Sequence, residues 1–325
     1  MKAQVCTAYG PVEQLSYQDF PAPVPGPGQI LIDVRAVSVN FADALVIEGL
    51  YQAKPALPFV PGTEGAGVVS ALGEGVHDFA IGDRVYGYNN EFGAFAEQML
   101  LPARVATPLP GPLSFEEGAA LLAATGTAHH ALRQRGQLKA GETLVVLGAA
   151  GGTGTAAVQI GHAIGAHVIA VCSSEEKMAF ARSQGADECI DYTREDLREA
   201  IKARTDGRGA DVVYDTVGGD AFDACTRAMA WNGRLLVVGF ASGRIPQVPA
   251  NLTLVKGYAV IGVFWGEFTE REQDVHAANM RELDTWIEQG KVKPVIDTVF
   301  PLSDAPAALN KVSGRGVIGK VVMRP

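Results

Sequence analysis

TLVVLGAAGGTGTAAVQIGHAIGAHVIAVCSSEEK, residues Thr143 to Lys177, decides the fold. An apolar run, Leu144 to Leu147, enters a turn of Gly148, Ala149, Ala150, Gly151, Gly152 and Gly154. An Ala/Val/Ile-rich helical pattern follows, then a second apolar strand and a polar turn into another helix. Strand, glycine turn, helix and strand in that order form the βαβ unit that binds a dinucleotide. A pyrophosphate lies against backbone N–H groups at a helix N-terminus, and a Cβ in the turn would hold it away. Glycine turns also join strands to helices for packing alone, so the surroundings must decide. The first glycine position of the fingerprint is Ala149, which leaves Gly151, Gly152 and Gly154, with Thr153 among them, to meet the phosphates.

Outward from this unit, strands and helices alternate. TLVVLG, HVIAVC, ECIDY, ADVVYDTVG, GRLLVVGF and GYAVIGVFW read as strands, and EEKMAFARSQG, REDLREAIKART and DAFDACTRAMAWNG as helices. Such alternation calls for a parallel sheet covered on both faces, with right-handed crossovers. A longer polar helix is expected from about Thr269 to Gln289. The first third differs: short β-type runs such as ILIDVRAVSVN, AGVVSALG and DRVYGY lie between Gly/Pro clusters, the pattern of a small β-barrel or sandwich. Near SFEEGAALLAATGTAHHAL the period becomes helical, and the tail after Val292 returns to β-type runs that complete the first domain.

The 325 residues, 47% hydrophobic with 38 glycines, suit a two-domain α/β chain with many tight turns. A net charge of −9 gives no electrostatic reason to expect nucleic acid or an anionic membrane as partner, so small diffusible substrates are the default. Cys6, Cys172, Cys189 and Cys225 show neither metal-knuckle spacing nor a disulfide framework and read as small buried hydrophobes in a reducing compartment. With no secretory h-region and no apolar run of membrane-spanning length, the expected location is the cytoplasm.

The end of the second strand addresses the cofactor. NAD-specific sites place an Asp or Glu about 20 residues beyond the glycine turn, on the ribose 2′-OH. Here that place holds Cys172, so the carboxylate that would repel a 2′-phosphate is missing, and Ser173, Ser174 and Lys177 offer two hydroxyls and an ammonium. NADPH is therefore expected over NADH. The competing reading is a capped helix start, Ser followed by Glu, which requires no ligand.

Taken together, VSVNFADALVIEGLY (Val37 to Tyr51), PFVPGTEGAGVV (Pro58 to Val69), GDRVYG (Gly82 to Gly87), AATGTAHHAL (Ala123 to Leu132), LGAAGGTGTAAVQ (Leu147 to Gln159), DVVYDTVGG (Asp211 to Gly219), GRLLVVGFASG (Gly233 to Gly243) and the closing GKVV resemble the medium-chain dehydrogenase/reductase superfamily. The zinc-free NADPH:quinone oxidoreductases, the ζ-crystallin-like branch, are the nearest likeness. The resemblance implies an α/β fold with a GroES-like β-barrel catalytic domain, residues 1–122 and 267–325, and a Rossmann domain, residues 123–266.

Where the superfamily's alcohol dehydrogenases hold catalytic zinc with Cys, His and Cys, the matching positions here are Asn40, Thr63 and Leu121, and the proton-relay histidine corresponds to Leu45. These side chains do not make a zinc site, so no metal is expected. What remains is direct hydride transfer from the nicotinamide to a conjugated carbonyl, a quinone first and an enone or acrylate as the alternative. A non-catalytic NADPH-binding role, crystallin-like or RNA-binding, is the reading from another class, and the acidic balance argues against RNA.

Asn40 and Tyr51 are the candidate catalytic residues, an amide and a phenol able to donate to the acceptor oxygen or to the cofactor. Competing structural roles are backbone satisfaction at a strand-to-helix turn for Asn40 and a half-buried loop aromatic for Tyr51. Asp43 and Glu64 read as members of structural ion pairs, and His129 and His130 as helix surface or core. The resemblance places Thr125 beside the nicotinamide, Tyr192 toward the 2′-phosphate and adenosine, and Thr216, Val217, Phe240, Ala241, Val263, Phe264 and Trp265 at strand ends around the cofactor. It also implies a homodimer through the edge strand Gly257 to Trp265.

Overall fold

The computed structural model describes residues 1–314 and 316–325. The chain divides into two compact units, Met1–Ala123 with Pro294–Pro325, and Ala124–Lys293.

The second unit is built on a six-stranded parallel sheet. Its strands run in the order Glu188–Asp191, His167–Cys172, Thr143–Leu147, Ala210–Asp215, Met229–Val237 and Ala259–Gly262. Alternate residues of each central strand feed two separate cores. Leu144, Val146, Val168, Ala170, Val212, Tyr214 and Leu236 enter one, while Val145, Leu147, Ile169, Val171, Val213 and Leu235 enter the other. This two-sided burial is what a run such as TLVVL requires, because neither face of the strand tolerates water. The chain leaves the centre in one direction, through His167–Cys172 to Glu188–Asp191, and then returns to build outward from Ala210–Asp215. The reversal falls beside Thr143–Leu147, the place where open α/β sheets bind ligands at strand carboxyl ends.

The first unit carries a mixed seven-stranded sheet around the long strand Gln29–Val39. The order is Ile296–Pro301, Lys320–Arg324, Gln29–Val39, Glu64–Leu72, Arg84–Tyr88 and Ala106–Pro108, with Gln98–Pro102 also on Gln29–Val39. Register shifts at Leu31/Ile32 and Val34/Ala36 mark bulges, which let so long a strand bend around its core. That core holds Ile30, Ile32, Val37, Phe95, Met99 and Leu101 together with Val321 and Met323 from the tail, so the tail completes this unit as expected.

Several expectations are corrected. Residues 267–293, read as part of the barrel domain, cluster with the second unit instead: Leu283, Trp286 and Val292 are buried in the core of the parallel sheet's helical layer. The single helix expected from Thr269 to Gln289 is two, Trp265–Arg271 and Gln273–Glu288, separated at Glu272 by a non-helical backbone (φ −123, ψ 54). The edge strand is only Ala259–Gly262, since Trp265 opens a helix, and the strand read as beginning at Gly233 begins at Met229. The tail also holds a helix, Ala305–Ser313, that its β-type runs concealed. All four cysteines are unpaired and buried, and among the described residues no helix is long and apolar enough to cross a membrane.

Candidate active site

At the glycine turn, Gly148 has φ +68, a conformation that a side chain resists, and a Cβ there would lie 2.8 Å from Thr216 Oγ1. Gly154 is required for packing: its Cβ would stand 2.1 Å from the Gly148 carbonyl oxygen. The Gly151 N–H turns inward and donates to that same carbonyl at 3.0 Å. The helix Gly152–Ile164 then opens with no side-chain cap, so the N–H groups of Gly152, Thr153 and Gly154 are the donors suited to an anion. The Thr153 hydroxyl is otherwise employed, 3.2 Å from the Ala124 carbonyl and 2.6 Å from the Tyr214 hydroxyl. Only its backbone suits a phosphate.

At the end of the second strand, Ser174 caps the helix Glu175–Ser183 by accepting from the Lys177 N–H at 3.3 Å, as the capped-start reading anticipates. Lys177 Nζ donates to Ser173 Oγ at 3.4 Å, which brings an ammonium and a hydroxyl together there as the 2′-phosphate reading needs. Both readings describe this turn. Burial pushes the Cys172 thiol up to about 12, so Cys172 itself carries no charge. Asp191, opposite Cys172 across the strands, spends Oδ1 on the Thr193 backbone and hydroxyl. The half-exposed Tyr192 follows, its N–H donating to the Cys172 carbonyl at 3.2 Å.

The next strand ends are laced together. Thr216 Oγ1 donates to the Leu147 carbonyl at 3.0 Å, and Val217 N–H to Asp215 Oδ1 at 2.7 Å. Ala241 N–H donates to the Thr216 carbonyl at 3.0 Å, carrying the Phe240–Ala241 turn onto the first loop. Val263 N–H is held by Val237, and Phe264 is 55% exposed. Trp265 is buried against Gly126 and Thr125 is buried in the helix Leu122–His130, so their side chains lie inside the unit. His129 and His130 are core residues: His129 Nε2 lies 2.8 Å from Glu282, and His130 stacks on Phe268.

In the first unit, Asn40 follows the strand Gln29–Val39 and caps the helix Phe41–Ile47. Its backbone N–H donates to Asp43 Oδ2 at 2.7 Å, and its side chain faces the Asp43 N–H in a capping box. Asn40 Oδ1 accepts from Lys320 Nζ at 2.6 Å, and Nδ2 donates to Glu64 Oε1 at 3.2 Å. Lys320 also donates to Glu64 Oε1 at 3.1 Å, and Glu64 Oε2 takes the Ala123 N–H at 2.7 Å. Glu64 is thus in the ion pair expected of it, with Lys320 as a partner that sequence reasoning did not find.

Burial lifts the Asp43 carboxyl to about 7, opposed by the Asn40 N–H and the Lys320 charge. The Tyr51 phenol is held above its ordinary value by burial and by Asp43, and Tyr88, also unforeseen, by burial, with Thr63 as hydrogen-bond partner. Both phenols therefore remain protonated donors at neutral pH. Among the described residues, no three His, Cys, Asp or Glu side chains gather to hold a metal ion.

Residues 26–111 match the model of the alcohol dehydrogenase GroES-like domain, and residues 152–281 that of the zinc-binding dehydrogenase. Over 300 residues the chain is 40% identical to the quinone oxidoreductase-like protein 2 homolog of Nematostella vectensis, covering 92% of this chain and 82% of that one. The chain belongs to the medium-chain dehydrogenase/reductase superfamily, in its quinone oxidoreductase branch. Among solved members of this superfamily, the Escherichia coli quinone oxidoreductase complexed with NADPH is similar, with a TM-score of 0.94 at 30% identity over the whole of both chains. A 2-haloacrylate reductase is similar too, with a TM-score of 0.86 at 29% identity, covering 100% of this chain and 99% of that one. The medium-chain fold thus carries the GroES-like barrel in the unit of Asn40 and the Rossmann sheet in the unit of Gly152.

Asp43 supplies a pH test. Its folded-state carboxyl near 7 lies above the ordinary value of about 3.9, so the stability it contributes is full below about pH 4 and is lost as pH rises through about 7. Asp43→Asn removes this dependence, and its melting temperature is expected to gain on the wild type progressively between those limits. A difference that does not change with pH would refute the buried neutral carboxyl.

Proposed function

We propose that the chain is an NADPH-dependent reductase that passes hydride to quinones, with Asn40 and Tyr51 orienting the acceptor. The observation that carries the reading is the Asn40 amide, whose carbonyl is committed to Lys320 while one N–H of Nδ2 has no partner among the described residues. A single oriented amide donor, with the protonated Tyr51 phenol beside the same carboxyl Asp43, suits an oxygen on which charge develops.

When bound, the reduced nicotinamide would supply hydride to the conjugated carbonyl, giving NADP⁺ and, after uptake of one proton, the hydroquinone. The N–H groups of Gly152, Thr153 and Gly154, with the Gly151 turn that exposes them, would hold the pyrophosphate. Ser173 Oγ and Lys177 Nζ would meet the 2′-phosphate, with Ser174 fixing the turn and Tyr192 covering the adenosine. The Thr216–Val217 and Phe240–Ala241 turns and Val263–Phe264 would line the nicotinamide, while Thr125 and Trp265 would support it from inside the unit. The NADPH complex of the Escherichia coli relative supports this choice of cofactor.

An acrylate or enone is the second acceptor class, supported by the likeness to a 2-haloacrylate reductase, since the same donors suit an enolate oxygen. A homodimer is part of the proposal. Ala259–Gly262 is a sheet edge paired on one side only; Leu254, Val255 and Phe264 are exposed near it in the chain, and so is Trp231, whose ring lies against Gly257. Light scattering that gives a monomer at micromolar concentration would contradict it. A cytoplasmic setting accords with four unpaired, buried thiols.

One assay separates the readings: NADPH oxidation with 1,4-benzoquinone, 9,10-phenanthrenequinone and 2-chloroacrylate as acceptors. Quinone turnover is expected, reduced about a hundredfold in kcat by Asn40→Ala, the usual scale for losing one donor to a developing oxyanion. Ser173→Ala with Lys177→Ala is expected to raise KM for NADPH at least about tenfold and to leave NADH unchanged. Equal losses for both cofactors would return the turn to a mere helix cap. Turnover of the acrylate alone would move the acceptor class, and tight NADPH binding without any turnover would favour a binding protein.

A further inference from the structure

Resting on the reading of Asn40 as the acceptor's donor, we propose that Lys320 is a positioning residue for the reduction: its ammonium fixes the Asn40 amide in one orientation and polarises it. Lys320 heads the strand Lys320–Arg324, whose antiparallel register on Gln29–Val39 pairs Val321 with Val39, so residue 320 falls opposite residue 40. Its backbone N–H is held by the Val295 carbonyl at 2.8 Å, which fixes the root of the side chain. The side chain is 7% exposed and that of Glu64 1% exposed, so the ammonium and carboxylate are both taken out of water.

A buried ammonium needs a counter-charge, and Glu64 supplies it at 3.1 Å. Neutralisation alone would leave the amide free to adopt either orientation. The shorter contact, however, is the one to Asn40 Oδ1 at 2.6 Å. An ammonium only donates and a carboxylate only accepts, so the flipped amide would set NH₂ against the ammonium and a carbonyl against Glu64. Both contacts would become repulsive. The amide is therefore held with its nitrogen toward Glu64, one N–H spent at 3.2 Å and the other left for a ligand.

The cation on Oδ1 also draws electron density from the amide and strengthens the remaining N–H as a donor, as linked hydrogen bonds do in a dry interior. Glu64 in turn is held through Oε2 by the Ala123 N–H at 2.7 Å, so neither end of the chain of contacts can rotate away. The Asp43 carboxyl, the other one near Lys320, bonds the Asn40 backbone, while the Asp43 N–H faces the Asn40 side chain in the capping box and, as a donor, favours the same placing of Oδ1.

The test compares Lys320→Met, Lys320→Arg and the double variant Lys320→Met/Glu64→Gln, which leaves no unpaired charge if the single variant fails to fold. Melting temperature, NADPH affinity by fluorescence titration, and kcat and KM for 1,4-benzoquinone are measured for each. The expected result is NADPH affinity within about twofold of wild type and kcat lowered about tenfold or more in the Met variants, with substantial recovery in Lys320→Arg. The double variant is expected to melt near the wild type, so that the loss of kcat is not a loss of fold. If the folded Met variants keep wild-type kcat while Asn40→Ala loses it, Lys320 is a structural ion-pair partner only and the inference fails. If Asn40→Ala itself keeps wild-type kcat, the reading of Asn40 has failed instead.

Discussion

A buried ammonium must be neutralised and its N–H donors given acceptors, and meeting that demand organises the candidate site. Lys320 draws on Asn40 and Glu64, and Glu64 on the Ala123 N–H, so the tail, the end of the long central strand, its neighbour and the last residue of the unit's first segment meet at one point. Removing one partner from a buried pair costs roughly 3–5 kcal/mol, whereas replacing both by neutral groups is often tolerated. The network is therefore more valuable for the orientation it imposes than for the stability it adds. The tail is kept in this unit by the same strand, since Val321 and Met323, which follow the charge, enter the core.

The second unit meets a different demand with backbone alone. Gly148 and Gly154 allow the turn to close on itself, with the Gly151 N–H folded inward, so that the following helix opens with uncapped donors. Side chains there mostly brace the turn: Thr153 ties it to Ala124 and Tyr214, and Thr216 ties the neighbouring strand end to Leu147. Cys172 puts a buried neutral thiol, not a carboxylate, at the strand end beside the place where Ser173 and Lys177 meet. Selectivity for a phosphorylated ribose would follow from the lack of a carboxylate at residue 172 as much as from the lysine.

Periodicity made the parallel sheet legible, because two-sided burial writes continuous apolar runs such as TLVVL and HVIAVC into the chain. It failed where local pattern and tertiary packing part company. GYAVIGVFW is apolar throughout, yet only Ala259–Gly262 is strand, because Trp265 turns into a helix and packs on Gly126. A polar stretch after Gly266 gave no sign that Leu283 and Trp286 bury in the second unit rather than the first. Asn40 could be singled out because an amide stands where relatives carry a metal ligand. Lys320 could not, since a lysine in GKVV reads as an ordinary strand start and its partners lie 256 and 280 residues away in sequence. The only trace was the motif itself, a charge at the head of an apolar strand.

Asn40 is the group proposed to meet the acceptor oxygen. A crystal structure of the protein with NADP⁺ and a bound quinone would examine that contact directly. The expected result is a quinone oxygen about 3 Å from Asn40 Nδ2, with Oδ1 still on Lys320 and the dinucleotide phosphates on the N–H groups of Gly152 to Gly154. A quinone whose oxygens contact neither Asn40 nor Tyr51, with its ring stacked on the nicotinamide, would contradict it.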